Sequence, residues 1–343
     1  MSDVNLNSRE PTMREVAALA GVSLKTVSRV INQEAGVSSQ LSERVQNAVR
    51  QLNYQPNTTA SNLRRGDQRT ATIGLLLDDV SNPFSSMLHR AIEDVASQHR
   101  TLVFAGSSGD DPKREEELVL ALAARRVDGL ITVPASRASG ELKHMQRLGK
   151  PVVFVDRLAT IHAADSVTVD NRAGGCAAVR HLAGFGHQRI AFLGDIHDLW
   201  TAAERYLGYV EGVAMAGLRL DPRLVRQDVH SMETAEQAVL ELLASAQAPS
   251  ALFTAQNLIT IGAIHALQRT SRQHQVALIG FDDFLLADLL DPRVSVIAQD
   301  PARLGRTAAE LLFARLDGDH KPTQQIVLPT RLIARGSGEI PVG

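Results

Sequence analysis

The chain has 343 residues, 44% of them apolar and 22% charged, with a formal net charge of −2 and one cysteine, Cys176. That length exceeds a single ordinary core and predicts two or three domains in a well-packed soluble protein. The apolar runs stop at strand length, which argues against a membrane-spanning helix, and a lone cysteine excludes an internal disulfide and a cysteine-based zinc site.

In chain order, the first residues carry no basic segment followed by an apolar core, so no secretory signal is expected and the setting is cytoplasmic. Residues 1–65 hold eight Lys or Arg against five Asp or Glu, a net +3 that leaves −5 for the rest. A small basic head on an acidic body suits a nucleic-acid reader with a separate second module. Thr12-Met13-Arg14-Glu15 is a capping box that opens a helix through Ala20, with Val16 and Leu19 inward and small Ala17, Ala18 and Ala20 allowing a close crossing. Gly21 takes the left-handed C-cap position. Ser23 caps a second helix, Leu24 to Asn32. After Ser38, Leu41, Val45, Ala48, Val49 and Leu52 recur at helical spacing, and Pro56 is expected to stop this third helix.

The second helix turns Val27, Val30 and Ile31 to a small core and shows cations and hydroxyls on its other face. Such a face fits the major groove of B-DNA, where Lys and Arg donate to guanine O6 and N7, and the helix start directs N–H groups at phosphate. Leu24, Lys25 and Arg29 are assigned to base contacts, and Ser23, Thr26, Ser28 and Asn32 to the backbone. The bland alternative is a solvated face on an unrelated helical pair. From 57 to 69 the chain is polar, with Ala60 and Leu63 as its apolar residues over the two possible helical turns, too short to fold alone. Paired with its copy across a dimer, Leu63 can wedge into a minor groove with Arg64 and Arg65 near phosphate; off DNA a flexible linker is expected.

The run "TMREVAALAGVSLKTVSRVINQ" followed by "VSSQLSERVQNAVRQLNYQPNTTASNLRR" closely resembles the lac-repressor (LacI/GalR) family of bacterial transcription regulators, and the resemblance covers essentially the whole chain. It implies that the second helix reads the major groove, with Leu24, Lys25 and Arg29 in the base-reading positions. It also implies a hinge helix that enters the minor groove through Leu63, flanked by Ala60 and Arg64.

From Ala71 strand and helix patterns alternate, and after Val169 the alternation begins again. Alternation of this kind argues for parallel sheets covered on both faces. The expected fold is α/β: a body of two doubly wound parallel-sheet sub-domains with a small all-α helix-turn-helix head. The resemblance implies a periplasmic-binding-protein-like body with a ligand in the cleft. The expected divisions are a head at 11–56, a hinge at 57–69 and an effector-binding and dimerisation domain at 70–337. Within that domain, one sub-domain takes 70–168 plus 301–327 and the other 169–300 plus 328–337.

Ligands in such sheets bind outside the carboxyl ends of strands. Those ends carry carboxylate, amide and guanidinium groups, which suit a polyhydroxyl ligand because hydroxyls donate and accept. Phe84 and Trp200, the latter in a loop-like stretch, are candidates to stack on a sugar ring. The resemblance maps effector positions onto Phe84, Asp156, Arg157, Arg205, Gln256 and Asp282, with Gln299 beside them; the family more often has Asn or Asp where this chain has Gln256-Asn257. Each also has a structural reading, since Asp after a strand is often a cap or turn residue. Cys176 reads as a small buried residue.

The expected function is a DNA-binding transcriptional repressor. It binds a pseudo-palindromic operator as a homodimer and is controlled by a mono- or oligosaccharide, with a purine or other small effector as the alternative. A transport-type sugar receptor fits the body but not the head. An enzyme is the competing class, yet no G-x-G-x-x-G, P-loop, H-E-x-x-H or G-x-S-x-G is present and the histidines lack metal spacing. No cofactor, catalytic residue, metal or membrane partner is called for. No leucine heptad follows Arg335, so a dimer rather than a tetramer is expected.

Overall fold

The computed structural model describes residues 11–31, 36–55, 69–137, 142–159 and 164–342. The chain separates into a head, Met1–Thr70, and a body, Ala71–Gly343.

Among its described residues the head forms α1 (Met13–Ala20), α2 (Leu24–Ile31) and α3 (Ser39–Leu52). The capping box forms as the sequence predicts: the Glu15 carboxylate accepts from the Thr12 N–H at 2.5 Å, and Thr12 Oγ1 accepts from the Glu15 N–H at 3.4 Å. Gly21 adopts a φ of 61°. A Cβ there would also stand 2.8 Å from Arg44 Nη2, which donates to the Ala20 carbonyl at 2.7 Å. The turn therefore needs glycine twice over, for its left-handed backbone and for the cation that closes α1 from α3. Val16, Val27 and Val45 are fully buried, with Val30 and Ile31 packed beside them.

Two expectations for the head are corrected. Leu19 is 46% exposed, because α1 turns Val16, Ala17 and Ala20 inward and the small alanines bring the crossing helix close. The third helix ends at Asn53, left-handed at φ 49°, with its N–H returned to the Arg50 carbonyl; Asn tolerates that backbone, so the stop precedes Pro56. Pro56, Asn32, Ala60, Leu63 and Arg64 lie outside the described residues.

The body alternates as predicted. Its first lobe runs β1 (Thr72–Leu77), α4 (Pro83–Gln98), β2 (Leu102–Ser107), α5 (Pro112–Ala124), β3 (Leu130–Thr132), α6 (Leu142–Arg147), β4 (Val152–Val155) and β5 (Asp165–Val169). Its second runs α7 (Asn171–Gly184), β6 (Ile190–Leu193), α8 (Trp200–Met215), β7 (Val225–Arg226), α9 (Met232–Ala244), β8 (Ala251–Thr254), α10 (Asn257–Arg269), β9 (Ala277–Phe281) and β10 (Ser295–Ala298). Then α11 (Pro301–Leu316) and β11 (Gln325–Leu328) return to the first lobe, and β12 (Arg331–Ile333) ends in the second.

The two described six-stranded sheets share one order, β2-β1-β3-β4-β5-β11 and β7-β6-β8-β9-β10-β12. All neighbours are parallel except β10 and β12. Both faces of the first sheet are covered. Ile73, Leu75 and Leu77 pack with Leu304 and Leu312 of α11, while Leu76 packs with Leu130 and Phe154 on the other side. This explains why the strands read as unbroken apolar runs. In the second lobe α7 and α8 approach backbone to backbone: a Cβ at Gly208 would lie 2.2 Å from the Arg172 carbonyl oxygen.

The chain crosses between lobes at Asp170, at Gln299–Asp300 and at Pro329–Thr330. Asp170 ties two of these crossings together: its carboxylate accepts from the Thr330 N–H at 2.6 Å and its N–H donates to the Leu328 carbonyl at 3.1 Å. Short linked crossings make a hinge, and the carboxyl ends of both sheets open at the crevice beside it.

Candidate functional site

Equivalent aspartates end the fourth strand of each sheet order. Asp156 follows β4 and Asp282 follows β9, with φ of 67° and 71°. The N–H of each reaches across to the next strand, to Val167 and Ile297 respectively, at 2.9 Å in both cases. A left-handed backbone costs a non-glycine residue roughly 1–2 kcal/mol, least for Asp and Asn. The same strain at the same place in both lobes marks these two side chains as held in position.

Around Asp156 the first lobe gathers Arg157, Asp110 and Asp78. The Arg157 guanidinium binds the Asp110 carboxylate through Nη1 and again through Nη2 at 3.4 Å. It also stands 3.9 Å from Asp78 and 3.7 Å from Asp156. Around Asp282 the second lobe gathers Arg205 and Gln299. Arg205 donates to Asn171 Oδ1 at 2.7 Å and to the Ala255 carbonyl at 2.8 Å. It lies 3.6 Å from Asp282 and stacks 3.8 Å over the Phe281 ring, a cation–π contact. Gln299, on the second crossing, donates to Asp282 at 2.5 Å.

The lobes meet through side chains. Asn257 Nδ2 donates to Asn82 Oδ1 at 2.9 Å, and Asn82 Nδ2 returns a bond to Asn257 Oδ1 at 3.4 Å. Asn82 also caps α4 by accepting from the Phe84 N–H at 3.0 Å. His230 Nδ1 meets Asp195 Oδ1 at 2.7 Å. That bond raises the His230 pKa, with Asp110 of the first lobe reinforcing it and Arg157 opposing it.

Burial sets the electrostatics. It pushes the Asp156 carboxyl up to about 6 although Arg157 and Arg205 pull it down. Burial raises Asp282 too, against Arg205 and the Gln299 bond. For Arg157 burial works against the charge, but Asp110, Asp78 and Asp156 more than offset it and its pKa is raised. Three buried atoms here have no hydrogen-bond partner: Asp156 Oδ1, Arg157 Nε and Gln299 Oε1. Unmet buried polar atoms are costly, and this set, two acceptors and one donor, calls for groups that both donate and accept.

Of the effector residues predicted from sequence, Asp156, Arg157, Arg205, Asp282 and Gln299 converge. Phe84 is half-buried in the first turn of α4. Trp200 opens α8 rather than lying in a loop, half-buried and five residues before Arg205. Gln256 caps α10: its side-chain oxygen accepts from Leu258 and Ile259 at 3.0 and 3.4 Å, and its neighbour Asn257 faces the other lobe. Cys176, expected buried, is half-exposed on α7 with its S–H directed 3.6 Å to Met215 Sδ. The sequence reading missed the roles of Asp110, His230 and the Asn82–Asn257 pair. Asp110 had a signal: Asp111 caps α5, and of two adjacent acids before Pro112 one is left for another task.

On the head, Ser23, Leu24 and Lys25 are exposed, Leu24 by 43%. Thr26, Ser28 and Arg29 are half-buried. Ser23 Oγ accepts from the Thr26 N–H at 3.1 Å and meets its hydroxyl at 2.9 Å. The Arg29 guanidinium stands 3.1 Å from where a Cβ on Gly36 would be. Among the described residues no group of three or more His, Cys, Asp or Glu is placed to hold a metal ion. No described helix is long and apolar enough to cross a membrane.

Two family models match: bacterial regulatory proteins of the lacI family over residues 12–57, and the periplasmic binding protein-like domain over 179–338. The transcriptional regulator CelR of Thermobifida fusca is 32% identical over 339 residues, covering 96% of this chain and 99% of its own. The chain belongs to the LacI family. Its head and body are thus those of a DNA-binding transcription regulator. Among solved structures, the lac repressor dimer bound to operator and an anti-inducer matches with a TM-score of 0.85 at 25% identity, covering 96% of this LacI-family chain and 99% of that one. A CelR–cellobiose complex matches with a TM-score of 0.72 at 30% identity, covering 96% and 100%.

Proposed function

We propose that this LacI-family chain is a cytoplasmic repressor, not an enzyme, whose operator affinity is set by a mono- or oligosaccharide in the crevice. The observation that carries the effector reading is the trio of unpartnered buried atoms, Asp156 Oδ1, Arg157 Nε and Gln299 Oε1. Two acceptors and a donor suit a ligand with several hydroxyls, each of which donates once and also accepts. Arg205 and Asp282 complete the polar wall, Phe84 and Trp200 offer aromatic faces, and Gln256 stands at one end. A related CelR has been solved with cellobiose, which supports a sugar.

In this reading the head, 11–56, presents Leu24, Lys25 and Arg29 to base edges and Ser23, Thr26, Ser28 and Asn32 to the backbone. The hinge, 57–69, uses Ala60, Leu63 and Arg64 at the minor groove. A homodimer matches a pseudo-palindromic operator. Exposed Leu102 and Phe104 on the edge strand β2, and Leu285 and Leu289 after β9, are apolar surface that a second copy would cover. Sugar closing the crevice moves one lobe against the other about the three crossings, and that movement reaches the heads through the first lobe.

Two experiments test this. A thermal-shift screen of sugars and nucleobases should find a stabilising sugar, because a ligand raises stability by RT ln(1 + [L]/Kd); stabilisation by nucleobases alone would replace sugar with purine. Arg29→Ala should weaken binding to a selected operator by about 1 to 3 kcal/mol and relax the base preference at one position. Equal weakening on every duplex would make Arg29 a phosphate contact.

A further inference from the structure

The crevice is acidic as well as polar. The first lobe brings Asp78, Asp110 and Asp156 around one guanidinium, Arg157. The second brings Asp282 to Arg205 and Asp195 to His230. Neither guanidinium is uncommitted: Arg157 holds the Asp110 carboxylate through two nitrogens, and Arg205 is held by Asn171, Ala255 and Asp282. Both are only 5–6% exposed, as are Asp156 and Asp282.

A phosphate or carboxylate ligand brings acceptors and negative charge. Holding one takes a cation whose donors are open to it. Among the described residues five carboxylates face two guanidiniums and the His230 imidazole, already bonded to Asp195, and of the three buried atoms without a hydrogen-bond partner two are acceptors. A hydroxyl can donate to Asp156 Oδ1 or Gln299 Oε1 and accept from Arg157 Nε. A phosphate could use Nε alone, and would set its charge against Asp156 and Asp110 in a poorly hydrated place.

We propose, building on the sugar reading above, that the crevice selects an uncharged polyhydroxyl effector over its phosphorylated or acidic derivatives, and that Asp110 sets this choice by neutralising Arg157. Asp110 lies in the loop between β2 and α5, left-handed at φ 56°. The capping of α5 falls to Asp111, which accepts from the Lys113 N–H at 2.9 Å, so the Asp110 carboxylate is left for Arg157. Asp110→Asn keeps the shape and the tolerance of that backbone while removing the charge. The guanidinium would then face the crevice one carboxylate short.

The test is calorimetry on the full chain near pH 8, above the value of about 6 to which Asp156 is raised. The probes are a panel of neutral mono- and disaccharides headed by D-ribose, D-glucose and cellobiose, each set beside its phosphate ester or uronic acid. The expected result is a neutral sugar that binds and a charged derivative about a hundredfold weaker, with the gap narrowed about tenfold in Asp110→Asn. A derivative binding as tightly as its parent would overturn the selection and leave the sugar reading standing. An unchanged gap in Asp110→Asn would remove Asp110 as its determinant. Silence from every sugar would remove the sugar reading and this inference together. Should Asp110→Asn fail to fold, the comparison on the unaltered chain still decides whether charge is selected against.

Discussion

The two lobes repeat one plan and differ in how finished their halves of the crevice are. Each has the same strand order and ends its fourth strand in a left-handed aspartate. In the second lobe the aspartate already has its partners: Asp282 is bonded by Gln299 and flanked by Arg205, which rests on Phe281. In the first, Asp156 keeps an unpartnered oxygen, and the cation beside it is held chiefly by Asp110. A preorganised wall facing an unsatisfied one is what a closing cleft requires. One side fixes geometry in advance, and the other gains most of its missing hydrogen bonds only when ligand arrives.

The largest test of that contrast is Arg205→Ala. It strands Asp282 without its cation, so the unfolding free energy should fall by about 3 to 5 kcal/mol in urea titrations, and the effector response should be lost while operator binding by the folded fraction persists. An unchanged stability would show that the second wall is not held by this residue. Asp156→Asn should do the opposite. Its pKa is raised by burial to about 6, so the native state holds the proton more tightly than the unfolded chain. The carboxylate's stability penalty is absent well below the unfolded value and complete above about 6. Removing the charge should therefore stabilise the protein at neutral pH by roughly 1 to 3 kcal/mol while weakening the effector. Destabilisation at neutral pH would contradict this.

The same proton gives a third, smaller effect. A hydroxyl donates more strongly to the ionised Asp156 carboxylate than to the acid, whose carbonyl oxygen still accepts, so effector affinity should fall as pH drops below about 6, by less than about tenfold per pH unit. A flat profile between pH 5 and 8 would place the hydroxyl elsewhere. Asn257→Ala should have the least effect. It breaks the reciprocal amide pair with Asn82 and should cost about 1 kcal/mol, with small-angle scattering of the ligand-free protein showing a slightly wider molecule. No change in dimensions would mean the pair does not hold the lobes together.

Much of this was legible in the sequence because it depends on local rules. The Thr12 box, the Gly21 turn and the strand-helix alternation each follow from neighbours in the chain. Asp156, Arg157 and Asp282 are candidates in the sequence because they follow strands, and the structure places them at the crevice. What stayed hidden depends on contacts across the fold. Asn82 and Asn257 are 175 positions apart and meet only once both lobes exist. Asp110 drew no assignment from the sequence, and only the approach of Arg157, 47 positions on, gives it a role. Gln256 had the composition of a ligand residue, yet its oxygen closes a helix end. Leu19 misled because the inner stripe of α1 is made of alanines, whose close packing the apolar pattern understates.

The most direct measurement is operator affinity, followed by fluorescence anisotropy on the full chain while the stabilising neutral sugar is titrated. Operator Kd should change by about fivefold or more, matched by an equal change in sugar Kd when operator is present. A sugar that binds the crevice while leaving the operator Kd unaltered would contradict this.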